Sequence, residues 1–184
     1  MPHTRAARRQ WRNHIISPGD VDRANRAVVR EMESLGLWSL RLETVEVFWV
    51  PASVVCYGWY QGSISIPGIA GVRLLEFIRG RHTSLRDVLR HEWAHAVADH
   101  RPAAIGTKRF ITAFGGSYDG EEQVSLHDPD LHLTRYAASS PCEDFAEVFH
   151  FYLKHKGRLP LRLRNKPAIV RKWEFVAGLA RRRN

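Results

Sequence analysis

The chain has 184 residues, 44% of them hydrophobic and 10% aromatic, with 28 Lys and Arg against 19 Asp and Glu for a net charge of +9. That length suits one domain with a real core, and no apolar run approaches the roughly 18 residues a membrane span needs. Two cysteines far apart, Cys56 and Cys142, exclude a disulfide framework and a cysteine-rich zinc knuckle. The charge is uneven: residues 1–30 balance at +5 and residues 154–184 at +10, so the middle is acidic. Such ends suit an acidic partner, nucleic acid or simply solvation.

Residues 1–16 read as a basic lead-in without the apolar core of a signal peptide. The expected location is cytoplasmic by default, with secretion as a toxin or effector by another route left open. Residues 17–184 read as one domain, its basic helical C-terminal part starting near 155. Ser17-Pro18-Gly19-Asp20 opens a helix from about Val21 to Leu35, with Ala24, Val28, Met32 and Leu35 on one stripe and Gly36 ending it. Thr44–Val50, Val54–Tyr60 and Gly62–Pro67 then read as three short strands of a small, mainly antiparallel sheet. Ser63–Ile66 is the candidate open edge, able to pair with an extended peptide. Val72–Ile78 fits strand or helix.

The next stretch carries the chemistry. Ser84 and Asp87 cap a helix that runs uninterrupted to Pro102 and contains His91-Glu92-Trp93-Ala94-His95. On a helix the two imidazoles stand one turn apart on one face and can reach a single ion. Glu92, about 100° round, is placed to act as general base on a water at that ion. Leu85, Leu89, Trp93 and Ala96 form an opposite apolar stripe, so the His face is expected to point from the core into a cleft.

Residues 100–136 read as a loop that shapes one wall of that cleft or acts as a lid, and its His127, Asp128, Asp130 and His132 have no spacing that ties them to the His pair. Ser140 and Pro141 start another helix, on which Glu143, Glu147 and His150 share one face while Phe145, Val148, Phe149 and Tyr152 lie opposite. Glu143 is the expected third ligand, and Glu147, one turn on, the carboxylate that orients a His ring. A last helix through Trp173, Val176 and Leu179 is expected to pack on the core.

His91-Glu92-Trp93-Ala94-His95, then Tyr136, then Glu143-Asp144-Phe145-Ala146-Glu147-Val148-Phe149, resembles the gluzincin zinc metallopeptidases, within them the catalytic domain of the anthrax lethal factor group and related zinc-binding metallopeptidases. The likeness lies in residues 83–153. It implies an α+β, zincin-like fold, one zinc ion held by His91, His95 and Glu143, Glu92 as base, Tyr136 as oxyanion donor, and a peptide or protein substrate. The metzincin pattern fails, because Ala98 and Arg101 stand where it needs Gly and His. A competing expectation is a protein that binds nucleic acid or an acidic partner around a structural or degenerate zinc site.

Overall fold

A computed structural model describes residues 14–54, 57–77, 84–120 and 126–181. Helix α1, Pro18–Ser34, opens on a capping box between Ser17 and Asp20 and buries Val21, Ala27, Val28 and Met32. Three short strands follow, β1 (Glu46–Val50), β2 (Gly58–Tyr60) and β3 (Ser63–Pro67), then α2 (Gly71–Phe77). The central helix α3 runs Leu85–Asp99. After it come α4 (Pro102–Ile105), α5 (Lys108–Phe114), α6 (Pro141–Lys154) and α7 (Pro167–Arg181). The fold is mixed helix and sheet.

The sheet departs from the expected arrangement in two ways. It is mixed rather than mainly antiparallel, because β1 pairs β3 in parallel, Glu46 opposite Ser63 through Val50 opposite Pro67. Its order is β1-β3-β2, so Ser63–Ile66 lies in the central strand and not at an edge. The reason is burial: Ile64 and Ile66 are almost wholly enclosed, whereas β1 and β2 keep Phe48 and Tyr60 in solvent. The open strand beside α3 is β2.

The region between His100 and Tyr136 is also more structured than its glycines suggest. Pro102 starts α4, Thr107 caps α5 by accepting the Phe110 N–H, and Phe110 and Phe114 drive α5 into an aromatic cluster with Phe145 and Phe175. The C-terminal helix α7 packs on the core as expected, burying Trp173, Phe175, Val176 and Leu179.

Helix α3 is buried along most of its length, with Arg86 and Asp99 near its ends exposed. Its expected apolar residues Leu85, Leu89, Trp93 and Ala96 are buried, but so are Asp87, Arg90, His91 and Glu92. A helix can bury that many ionisable groups only if they neutralise one another or hold a ligand. Helix α6, packed against α3, supplies the partners. His91 meets Glu143 and Glu147 near one end, and Asp87 meets His150 and Lys154 near the other, so the two helices run antiparallel.

Candidate metal centre

Each of the three expected ligands is placed by a local capping signal. Ser84 accepts the Asp87 N–H and starts α3 so that His91 and His95 fall one turn apart on the side facing α6. Ser140 accepts the Glu143 N–H, with Pro141 in the first turn, which sets Glu143 at the mouth of α6. His91 Nε2 lies 3.2 Å from His95 Nε2 and 3.0 Å from Glu143 Oε2, and His95 Nε2 lies 3.8 Å from that oxygen. Ligands at zinc-like bond lengths of about 2.0–2.2 Å on a tetrahedron stand about 3.3–3.6 Å apart, a spacing these distances bracket.

The protons sharpen the case. His91 Nδ1 faces Glu147 Oε1 at 3.1 Å, so it carries the hydrogen that Glu147 accepts, and Nε2 is the nitrogen left to bind a proton or a metal ion. His95 Nδ1 meets the Tyr118 hydroxyl at 2.8 Å and can settle in the same tautomer. Two imidazole Nε2 atoms and a carboxylate oxygen then converge on one point, where a metal ion could take the place of a proton. His91, His95 and Glu143 can hold a metal ion, and they are the one such group among the described residues. His127, Asp128, Asp130 and His132 are not part of it. His100 is a helix cap, its ring nitrogen on the Ala96 carbonyl at 2.9 Å.

The electrostatics already favour positive charge at this point. Burial opposes a charged His91, but hydrogen bonds to Glu143 and Glu147 and the charge of Glu92 outweigh it and lift the imidazole to about 10. Burial and the charge of His91 push His95 down to about 4. Burial would raise Glu143, yet His91 holds it below its ordinary value. Glu92, only 7% exposed, is raised by burial despite His91 and one backbone donor.

That donor is the N–H of Trp59 on β2, which gives Glu92 Oε2 a hydrogen bond of 2.8 Å. The indole of the same residue donates to Asp99 at 2.6 Å, so Trp59 ties the strand to α3 at two points two turns apart. Gly58 makes this possible. Its φ is +85°, and a Cβ there would lie 2.8 Å from Glu92 Oε2.

A cavity of about 560 Å³ opens over these groups, lined among others by Tyr57, Trp59, Ile66, Leu74, Val88 and Tyr136. Tyr136 stacks on His91, ring centres 5.7 Å apart, with its hydroxyl directed to Glu143, and burial beside that carboxylate raises its pKa and keeps the phenol neutral. Tyr118 was not legible in the sequence, since it lies in a glycine-flanked loop with no periodic pattern to point at His95.

Family models, curated proteins and solved structures compared with the chain give no match. No helix among the described residues is long and apolar enough to cross a membrane.

Proposed function

We propose that the protein is a zinc-dependent metalloendopeptidase of gluzincin type, with His91, His95 and Glu143 holding the ion and Glu92 acting as general base. The observation that carries this reading is the convergence of His91 Nε2, His95 Nε2 and Glu143 Oε2 beside a buried carboxylate, at the floor of a cleft large enough for a substrate. A structural zinc site is closed by four protein ligands, whereas this one offers three and opens to a cavity. Two imidazoles and a carboxylate are a donor set that suits zinc.

Zinc bound there would supply a Lewis acid that brings the pKa of water towards about 7 and polarises a carbonyl. The chain does the rest. Trp59 fixes one oxygen of Glu92, leaving the other to take a proton from the attacking water and pass it to the leaving amine. Tyr136, neutral and facing Glu143, is the donor for the oxyanion. Strand β2 flanks the base at the edge of the sheet, with the outward N–H of Trp59 taken up by Glu92.

The basic charge lies apart from this cleft. Lys156, Arg158, Arg162, Arg164 and Arg171 are exposed and make no ion pair among the described residues. They follow the end of α6 remote from Glu143, so an acidic partner or nucleic acid held there would leave the cleft open.

The test is elemental analysis of the purified protein beside hydrolysis of a mixed peptide library read by mass spectrometry. One zinc per chain, with cleavage abolished by a chelator and in Glu92→Gln, is the expected result. Absence of zinc after metal loading would overturn the reading.

A further inference from the structure

Behind the candidate ligands, α3 and α6 share a line of buried ionisable groups that the proposed reaction does not use directly. Glu147 and His150 are fully buried and Asp87 is 1% exposed. Glu147 Oε1 lies 3.1 Å from His91 Nδ1, a hydrogen bond, and 3.8 Å from His150 Nδ1, a longer polar contact, so two rings flank one oxygen. The other nitrogen of His150 lies 3.2 Å from Asp87 Oδ1. Asp87 is itself held by Arg90 at 2.7 Å and Lys154 at 3.0 Å, and Arg90 reaches on to Glu31 with two bonds of 2.7 Å.

Both ring nitrogens of His150 face carboxylate oxygens, so basic and acidic groups alternate along the line: Arg90 and Lys154, Asp87, His150, Glu147, then the N–H of His91. A carboxylate that accepts from a single ring can still turn about its last torsion, because that rotation is soft. A second ring set against Oε1 restrains it. The far ring is anchored to α3 through Asp87, the near one belongs to α3, and Glu147 belongs to α6. The helix pair therefore fixes the carboxylate from both sides.

We propose that His150 is a positioning residue for the metal centre, holding Glu147 Oε1 on His91 Nδ1 so that His91 keeps its Nε2 lone pair towards the ion. This rests on the metallopeptidase reading above and extends it to a residue that reaches no ligand except through Glu147.

The experiment uses the full chain and two readouts, the zinc dissociation constant from chelator competition and the downfield proton resonance of His91 Nδ1–H. His150→Phe keeps a ring of similar size without its ring nitrogens. It is expected to weaken zinc binding about 10–100-fold and to move or broaden the His91 signal, as loss of such an outer partner does at metal sites. A residue that only filled space would leave the His91 signal where it is. Zinc affinity within about twofold of wild type together with an unmoved signal would overturn the inference. Should His150→Phe not fold, His150→Gln, which keeps one donor, decides by the same two readouts. If the wild type takes up no zinc, it is the reading of the site that fails, and the His91 signal in the zinc-free proteins still decides the role of His150.

Discussion

Glu92 and Trp59 are joined by a 2.8 Å hydrogen bond from the strand's backbone to the carboxylate, so the element that roofs the cleft is attached to the candidate base itself. The contact exists because Gly58 has no side chain and sits at φ +85°. Gly58→Ala forces a Cβ against Glu92 Oε2 and strains the backbone, at a cost of about 1 kcal/mol or more in stability. With the ligands untouched, zinc content is expected to stay at the wild-type level while kcat falls about 100-fold, the usual consequence of misplacing a reacting group by an ångström. Steady-state kinetics beside elemental analysis checks this, and unchanged kcat would show that the latch does not position the base.

Separating ligands from base is the second prediction. Glu143→Ala removes one of three donors and is expected to release zinc, whereas Glu147→Ala retains it with affinity weakened about 10–100-fold. Glu92→Gln keeps full zinc and loses turnover by about 100-fold or more, because the amide cannot accept the proton. Full activity in Glu92→Gln would remove the mechanism, and zinc retained at wild-type affinity in Glu143→Ala would remove the ligand assignment.

The local parts of this site were legible because their signals are local. The i,i+4 His pair, the Ser84 and Ser140 caps and the acidic face of α6 are written within single helices, and the structure brings His91, His95 and Glu143 together. Strand alternation, by contrast, reports which face is buried and not which strand lies beside which. Thus Ser63–Ile66 read as an edge when it lies in the middle strand. The same limit applies to α3. Asp87 and Arg90 look like solvent residues on a helical wheel, and only the antiparallel pairing with α6 shows why they are buried.

Asp144, next to the candidate ligand in sequence, points the other way and meets Lys172 of α7 at 2.5 Å, both almost wholly buried. Lys172 also donates to the Leu131 carbonyl, so the pair joins α6, α7 and the loop that precedes Tyr136. Lys172→Met leaves a buried carboxylate without its cation and is expected to cost about 3–5 kcal/mol. Adding Asp144→Leu to it should recover most of that loss, since a well-packed apolar pair replaces an ion pair at little cost. Urea unfolding of the single and double variants measures both, and a single variant within about 1 kcal/mol of wild type would deny the pair its role.

Acid stability follows from Asp87. Burial would raise its carboxyl, but the hydrogen bond and charge of His150 and the ammonium of Lys154 outweigh burial and hold it well below the usual carboxylate range. A folded value below the unfolded one of about 3.9 means that the ionised carboxylate stabilises the fold fully above that pH. The contribution is lost as pH falls through about 4 towards the folded value, where the unfolded chain binds the proton first. Asp87→Asn removes this term, so the gap in urea stability between wild type and variant is expected to be about 3 kcal/mol or more at pH 6–7. It should then narrow steadily below about pH 4. A gap that stays constant down to pH 3 would mean that Asp87 stabilises α3 and α6 by shape rather than by charge, and the alternating line behind His91 would lose its outer anchor.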